Sequence, residues 1–419
     1  MNYIFFSSVK KSVIIKSGDE NMKFINRDVY LSRLIKLNKT PDIKIITGIR
    51  RSGKSRLIYD YIEYIKKKEK NFNIIYINLQ DIEFEHLKEY HEMNTYILSK
   101  YKKNKNNYLF IDEVQLCPSF ELAISSIHTK NIFDIYLTGS NAFLMSSDLA
   151  TLFTGRTIEI EVYPFSFKEF TTYYDHYANE IENAFDDYVF IGGMPGSYSY
   201  NSESDKKLYI ADVFKTIILR DLVQKYNIKD EETLEKLSFF MMDNISNITS
   251  SNNITESLTN FKINSSHNTI GNFISYLCNA FIFYKARRYD LKGKKYLRTT
   301  EKYYLCDHGF RYAILGKHNY DYGRIYENIV YIELLRRGYE VYIGKLYQKE
   351  IDFVATKGNE KFYIQVSDDI SKQETFAREI TPLLAIKDAY PKIIIARTRH
   401  LEYLHDGVKI INIANWLME

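Results

Sequence analysis

Cysteine is scarce in this chain: only Cys117, Cys278 and Cys306 occur among 419 residues, and they lie far apart. That spacing excludes a readable disulfide framework and any CxxC-type zinc cluster. It points to a reducing, cytoplasmic setting. No run of 18 or more apolar residues is present, so no membrane-spanning helix is expected. The opening stretch MNYIFFSSVKKSVIIKSGDEN lacks the basic–apolar–small order of a signal peptide. Residues 1–21 are expected to form a loose extension, added from an upstream start codon, ahead of the cleaner segment that begins at Met22. Prolines number 6 and glycines 17 against 37 tyrosines, an AT-rich coding bias that weakens the meaning of any single Lys or Tyr. No repeat of 20–50 residues is visible, which argues against a solenoid. The net charge of +4 is too small to mark the whole chain as a nucleic-acid binder.

What is present is globular in composition, with 45% hydrophobic and 26% charged residues and room for two or three domains. From residue 43 to about 160, short apolar runs alternate with amphipathic stretches. Strands are expected at 43–47, 73–79, 108–112, 132–139 and 157–163, with helices between them. This alternation predicts an α/β domain with a parallel sheet over residues 22–204. Residues 205–320 read as mostly helical, interrupted by the polar run SNITSSNNITESLTN, read as turns, and followed by HNTIGNFISYLCNAFIFYKARRYD, read as one more amphipathic helix. Residues 321–419 read as a small α/β module.

Ile46 to Ile58 reads ITGIRRSGKSRLI. Gly48, Ile49, Arg50, Arg51, Ser52, Gly53, Lys54 and Ser55 match G-x-x-x-x-G-K-[ST], between a strand and a helix. The glycines let backbone N–H groups turn toward phosphate oxygens, and the helix start adds a positive dipole end. Lys54 would neutralise the β- and γ-phosphates and Ser55 would hold Mg²⁺. Arg50 and Arg51 occupy positions whose side chains are expected to face outward, to a partner or to solvent. The acids of YLFIDEVQ end an apolar strand, where unpaired carboxylates are costly. Asp112 would hold the metal through water, and Glu113 would orient or deprotonate the attacking water. In IYLTGSN, Ser140 and Asn141 are either γ-phosphate sensors or an ordinary turn.

These stretches, with LFTGR, IEVYPFSFKEF and IGGMPG in the same order, resemble the prokaryotic ATP-binding proteins of the AAA superfamily that carry a C-terminal domain of unknown function. The resemblance spans about residues 22–419. It implies ATP rather than GTP, and it makes Arg156 either an arginine finger or sensor, or a structural arginine.

Residues 205–320 hold 18 Lys/Arg against 12 Asp/Glu, and eight of the basic residues lie in 285–302. Lys292-Gly293-Lys294 is a natural hairpin tip. A helix followed by a basic hairpin is the order of a winged helix, to which the family is similar. DNA contact through residues 269–302 and a packing or lid role both stay open. A protein partner or a homo-oligomer is the other expectation.

The C-terminal module has the element order of the PD-(D/E)XK nuclease core and resembles it. That fold implies a second metal site at Glu327, Asp352 and Gln365. Gln365 stands where an acid is needed and Ser367 where the lysine is needed, so a degenerate nuclease is expected. A replacement positive charge would have to come from elsewhere, Lys361 and Lys345 being the candidates. The leading expectation is a Mg²⁺-dependent ATPase coupled to these two modules. The alternatives are an ATP-switched DNA nuclease and a nucleotide-sensing scaffold with little hydrolysis.

Overall fold

The computed structural model describes residues 24–140, 153, 155–177, 180–260, 265–293, 295–317 and 320–419. The expected extension at 1–21, Asn141 and Lys294 lie outside the described residues.

The first sheet is built from β1 (Ile43–Thr47), β2 (Phe72–Asn78), β3 (Asn106–Asp112), β4 (Asp134–Thr138) and β5 (Thr157–Glu161). Its order is β2-β3-β4-β1-β5, and every pairing is parallel. Both faces are buried, as crossover helices require. Alternate residues Ile43, Ile45, Leu109, Ile111, Ile135 and Leu137 face one core with Ile97, Ile124 and Ile127 of the helices Tyr90–Ser99 and Phe120–Thr129. The opposite residues, Ile46, Tyr108, Phe110 and Tyr136, face Leu57, Ile58 and Tyr61 of the helix Lys54–Lys68. Because β4 lies between β1 and β3, the C-terminal ends of these three strands sit side by side.

The middle of the chain is mostly helical. Its helix Glu203–Thr216 runs into a π-helical turn, Ile217–Val223. Two expectations need correction here. The polar run expected as turns contains a helix, Ser251–Asn260. Ile254 and Leu258 bury one face, while Thr255, Ser257 and Thr259 donate to carbonyls four residues back, which absorbs their hydroxyls. The stretch expected as one helix from His267 onward stops at Asn279, and Phe283–Asp290 is strand β6.

β6 and β7 (Lys295–Leu305) form the expected hairpin, but it is not an isolated wing. β6 pairs with β8 (Glu340–Leu346), and the hairpin becomes the margin of a sheet that includes β9 (Lys349–Lys357), β10 (Glu360–Ser367), β11 (Lys392–Ala396), β12 (Glu402–His405) and β13 (Val408–Asn412). The order is β12-β13-β11-β10-β9-β8-β6-β7. Within 269–302, Ile270, Phe273, Ile274 and Leu277 are core residues, Lys302 is buried, and Lys285 is paired to Glu301 at 3.2 Å, so DNA contact through this stretch would fall to its other positions.

The glycines of IGGMPG serve packing. A side chain at Gly192 would meet Asp307 Oδ1 at 2.1 Å, and one at Gly193 would meet the Phe165 carbonyl at 2.2 Å. Asp307 Oδ2 in turn accepts from Gly193 N at 2.8 Å. This joint locks the end of the first segment to the strand end that follows β7. The tail returns to the first segment as well: Arg397 Nη2 donates to Asp186 Oδ2 at 2.8 Å and Asn412 Nδ2 to Glu182 Oε1 at 2.9 Å. Among the described residues no helix is long and apolar enough to cross a membrane, and the three cysteines are free.

Glu161, at the end of β5, lies in the seam with the hairpin and accepts from the hydroxyls of Tyr284 and, at 2.9 Å, Tyr163. Burial pushes its carboxyl from the usual 4.5 up to about 7, against the pull of the Tyr284 hydrogen bond. The folded chain therefore keeps a proton that the unfolded chain has lost between these values. Stability falls as pH rises through that window, by up to about 3 kcal/mol. Glu161→Gln should remove this dependence: denaturant unfolding should find the variant more stable than wild type above pH 7 and the gap closed near pH 4.5. A gap that does not change with pH would contradict this.

Candidate functional site

The loop between β1 and the helix Lys54–Lys68 is shaped by two glycines. Gly48 has φ 126°, and a Cβ there would lie 2.3 Å from the Val162 carbonyl. Gly53, in the left-handed region at φ 100°, precedes the helix, and no side chain caps it. The first N–H groups of a helix have no partners within it. Here they face the loop with the positive end of a 15-residue helix behind them.

Lys54 is 4% exposed and donates to the carbonyls of Gly48 (2.9 Å) and Ile49 (3.0 Å). Burial lowers its pKa, while Glu113 and then Asp112 pull it back up. Ser52 is fully buried, and its Oγ has no hydrogen-bond partner. A buried hydroxyl without a partner costs about 1–3 kcal/mol. An uncapped helix start, a buried ammonium held by carbonyls and an unsatisfied hydroxyl together fit a polyphosphate with its Mg²⁺. Ser55 is half-buried in the first helical turn.

The acids stand two strands away. Asp112 is 2% exposed; it accepts from the Thr138 hydroxyl and, at 3.2 Å, from Tyr76. Glu113 adopts φ 56° and ψ 48°, a conformation rare outside glycine. Its N–H donates to Thr138 Oγ1 at 2.9 Å, and its carboxylate accepts from Gln115 and, at 3.3 Å, from Ser140. Thr138 thus ties both acids to the end of β4, and Ser140 reads as a Glu113 partner.

The three arginines singled out in the sequence all point away from the phosphate cradle, two of them onto the chain itself. Arg50 Nη1 donates to Asp221 Oδ1 (3.1 Å) and Oδ2 (3.3 Å) in the π-helical turn, and the Arg51 guanidinium lies 5.3 Å from the Tyr209 ring centre. Both loop arginines therefore engage the chain's own middle segment. Arg156 is exposed, and its carbonyl accepts from Ile43 N at 2.8 Å. That is the end of β1 opposite Lys54, about 15 Å away along five residues of strand.

One residue that sequence reasoning missed is Arg27. It is 3% exposed and joins three parts of the chain: Nη1 to the Ser52 carbonyl (2.9 Å), Nη2 to the Tyr163 carbonyl (2.8 Å) and Nε to Glu169 (2.6 Å). Glu169 also closes a capping box with Ser166. No local pattern marks Arg27, because its partners lie 25 to 142 residues away.

In the C-terminal sheet, Glu327, Asp352 and Gln365 come together, and several of their polar atoms are already engaged. Glu327 Oε1 accepts from Lys302 (2.9 Å) and from Tyr304 (2.6 Å). Asp352 N donates to Gln365 Oε1 at 2.8 Å, Gln365 Nε2 donates to Glu379 Oε2 at 2.9 Å, and Asp352 Oδ2 accepts from Val366 N at 2.8 Å. Among the described residues no group of three or more His, Cys, Asp or Glu converges as a metal site. Of the two expected lysines, the Lys361 ammonium lies over the Tyr363 and Tyr390 rings and the backbone of Lys345 is in register with Asp290 and Glu350, while the ammonium that meets Glu327 is that of Lys302.

Comparison with known proteins bears on the family and the fold. The family model of an AAA domain matches residues 40–171, a Domain of unknown function (DUF8612) matches 182–321, and another Domain of unknown function (DUF4143) matches 322–416. The chain is 37% identical over 399 residues to an uncharacterized protein of Haemophilus influenzae, covering 94% of this chain and 99% of that one. It is 27% identical over 411 residues to the uncharacterized protein MJ1544 of Methanocaldococcus jannaschii, covering 94% and 90%. Among solved structures it is similar to the Walker-type ATPase PABY2304 of Pyrococcus abyssi, at 14% identity and a TM-score of 0.43, over 69% of this chain and 95% of that one. The chain belongs to the family of the Haemophilus influenzae protein and carries the AAA-type P-loop fold.

Arg27→Ala should leave Glu169 and two buried carbonyls without their donor. The expected loss is about 3 kcal/mol in denaturant unfolding, with a drop of about tenfold or more in affinity for whatever the loop binds. Unchanged stability would show that the clamp contributes nothing.

Proposed function

We propose that this chain is a Mg²⁺-dependent ATPase of AAA type, built of a nucleotide-binding segment (22–204), a helical middle (205–320) and a nuclease-like but degenerate tail (321–419). The observation that carries the reading is the convergence of Lys54, Asp112, Glu113 and Thr138 at adjacent C-terminal strand ends, where open α/β sheets bind ligands. The loop amides and Lys54 would cradle the β- and γ-phosphates. Ser55, with Asp112 through water, would hold Mg²⁺, whose role is to neutralise phosphate charge. Glu113, fixed by Thr138, Gln115 and Ser140, would orient the attacking water and receive its proton. Gly48, Ile49, Ser52 and Gly53 would shape the cradle, and Asn141 remains a candidate sensor.

The position of Arg156 beside the end of β1 opposite Lys54 supports a role away from its own site. As an arginine finger it would act on a second copy of the chain, which makes a homo-oligomer the favoured partner. Coupling to the middle segment would run through Arg50. Binding of phosphate beside the loop would compete with Asp221 for the guanidinium, and the π-helical turn carrying Asp221 is a local irregularity of the kind that accommodates such changes. DNA contact has narrower support, from exposed Arg287 and Lys292 on the hairpin.

Phosphate-release assays test the reading. Lys54→Ala should abolish ATP turnover. Glu113→Gln should still bind ATP but hydrolyse it about 10²-fold or more slowly. Turnover equal to wild type in both variants would refute the assigned site, and a wild type that binds ATP with little turnover, unchanged in Glu113→Gln, would favour a nucleotide-sensing scaffold.

A further inference from the structure

The nuclease-like tail contains a carboxylate pocket that the ATPase reading does not use, buried at Glu327 and Glu379 and half-buried at Glu350 and Asp352. Glu327 enters it from the helix Tyr322–Arg336, Glu350 and Asp352 from β9, and Glu379 from the helix Gln373–Leu384. Lys302 enters from β7, a strand of the middle segment, with its side chain 4% exposed. Its ammonium lies 2.9 Å from Glu327 Oε1 and 2.6 Å from Glu350 Oε1.

We infer that the Lys302 ammonium is the resident cation of this pocket, standing in for the divalent metal that a nuclease fold would hold there, and that the tail is a metal-free, non-cleaving module.

Three arguments support the assignment. The first is saturation. Mg²⁺ demands near-octahedral oxygen coordination at about 2.0–2.1 Å. Glu327 Oε1 already accepts from Lys302 and Tyr304, both ends of the Gln365 amide are used, and Asp352 is bound to the backbone of β10. The second is charge. Burial alone would lower the lysine's pKa, yet Glu327, Asp352 and Glu350 outweigh it and raise it, so the ammonium stays charged. Glu379, the remaining carboxylate, has its own cation in Arg378 Nε at 3.0 Å. The third is topology. The lysine lost from β10, where Ser367 stands, is not restored on a neighbouring residue but supplied by a strand that the middle segment adds to the sheet. The pocket thereby joins two segments of the chain and loses the open coordination positions that water-activating metal chemistry needs.

The test uses the full-length, nucleotide-free protein. Mn²⁺ titration followed by electron paramagnetic resonance should show no site in wild type that is lost in Asp352→Asn, and wild type should not cleave DNA or RNA with Mn²⁺. Lys302→Ala should lower Tm by about 5 °C or more, since it strands buried carboxylates. Mn²⁺ should then recover part of that loss through a newly formed site, itself removed by adding Asp352→Asn. The inference is overturned by a wild-type Mn²⁺ site or cleavage activity that depends on Asp352, or by a Lys302→Ala protein as stable as wild type. The wild-type titration and cleavage assay decide the matter even where Lys302→Ala fails to fold. None of these readouts involves ATP turnover, so failure here is distinct from failure of the ATPase reading.

Discussion

A buried ammonium without a full counter-anion is the constraint around which the first half of this molecule is organised. Lys54 is held by two carbonyl oxygens at the start of an uncapped helix, and the nearest carboxylates belong to the next-but-one strand. Desolvated positive charge is costly unless compensated. Every element nearby concentrates that unpaired potential: Gly48 and Gly53 open the loop, Ser52 leaves a hydroxyl unsatisfied, and Arg27 clamps the loop to residues 163–169 so that it cannot collapse. A polyanion would satisfy these groups at once.

Contacts run from this loop into the rest of the structure. Its two arginines reach the helical middle, and the middle contributes a hairpin to the tail's sheet. The tail returns through Arg397 and Asn412 to the residues that follow the nucleotide-binding sheet. The seams are polar and partly ionisable, as at Glu161 with Tyr284 and at Lys302 with Glu327. Polar seams bind segments with defined register, because a slip leaves buried charge unpaired.

Much of the architecture could be read before the structure. The five strands of the first sheet stand out because a parallel sheet buried on both faces writes itself as short apolar runs. The phosphate loop and the acid pair are local patterns, and the strand order places them together. What could not be read depends on distant contacts. Arg27 looks like any exposed arginine until Ser52, Tyr163 and Glu169 surround it. Lys302 belongs to a basic stretch that suggests a DNA-facing wing, and only the pairing of β6 with β8 turns part of that stretch inward. The helix Ser251–Asn260 is polar enough to pass for turns, since its buried face comprises few residues. Arg50 follows the common outward geometry of its loop position; what the pattern could not reveal is that the chain's own π-helical turn lies outside it.

The reading of this molecule rests on the cradle around Lys54 taking a nucleoside triphosphate. Isothermal titration of the purified full-length protein with ATP and Mg²⁺ is the decisive measurement. Saturable one-site binding is expected in wild type and should disappear in Lys54→Ala. Absence of binding in wild type, or equal binding in both proteins, would overturn the reading.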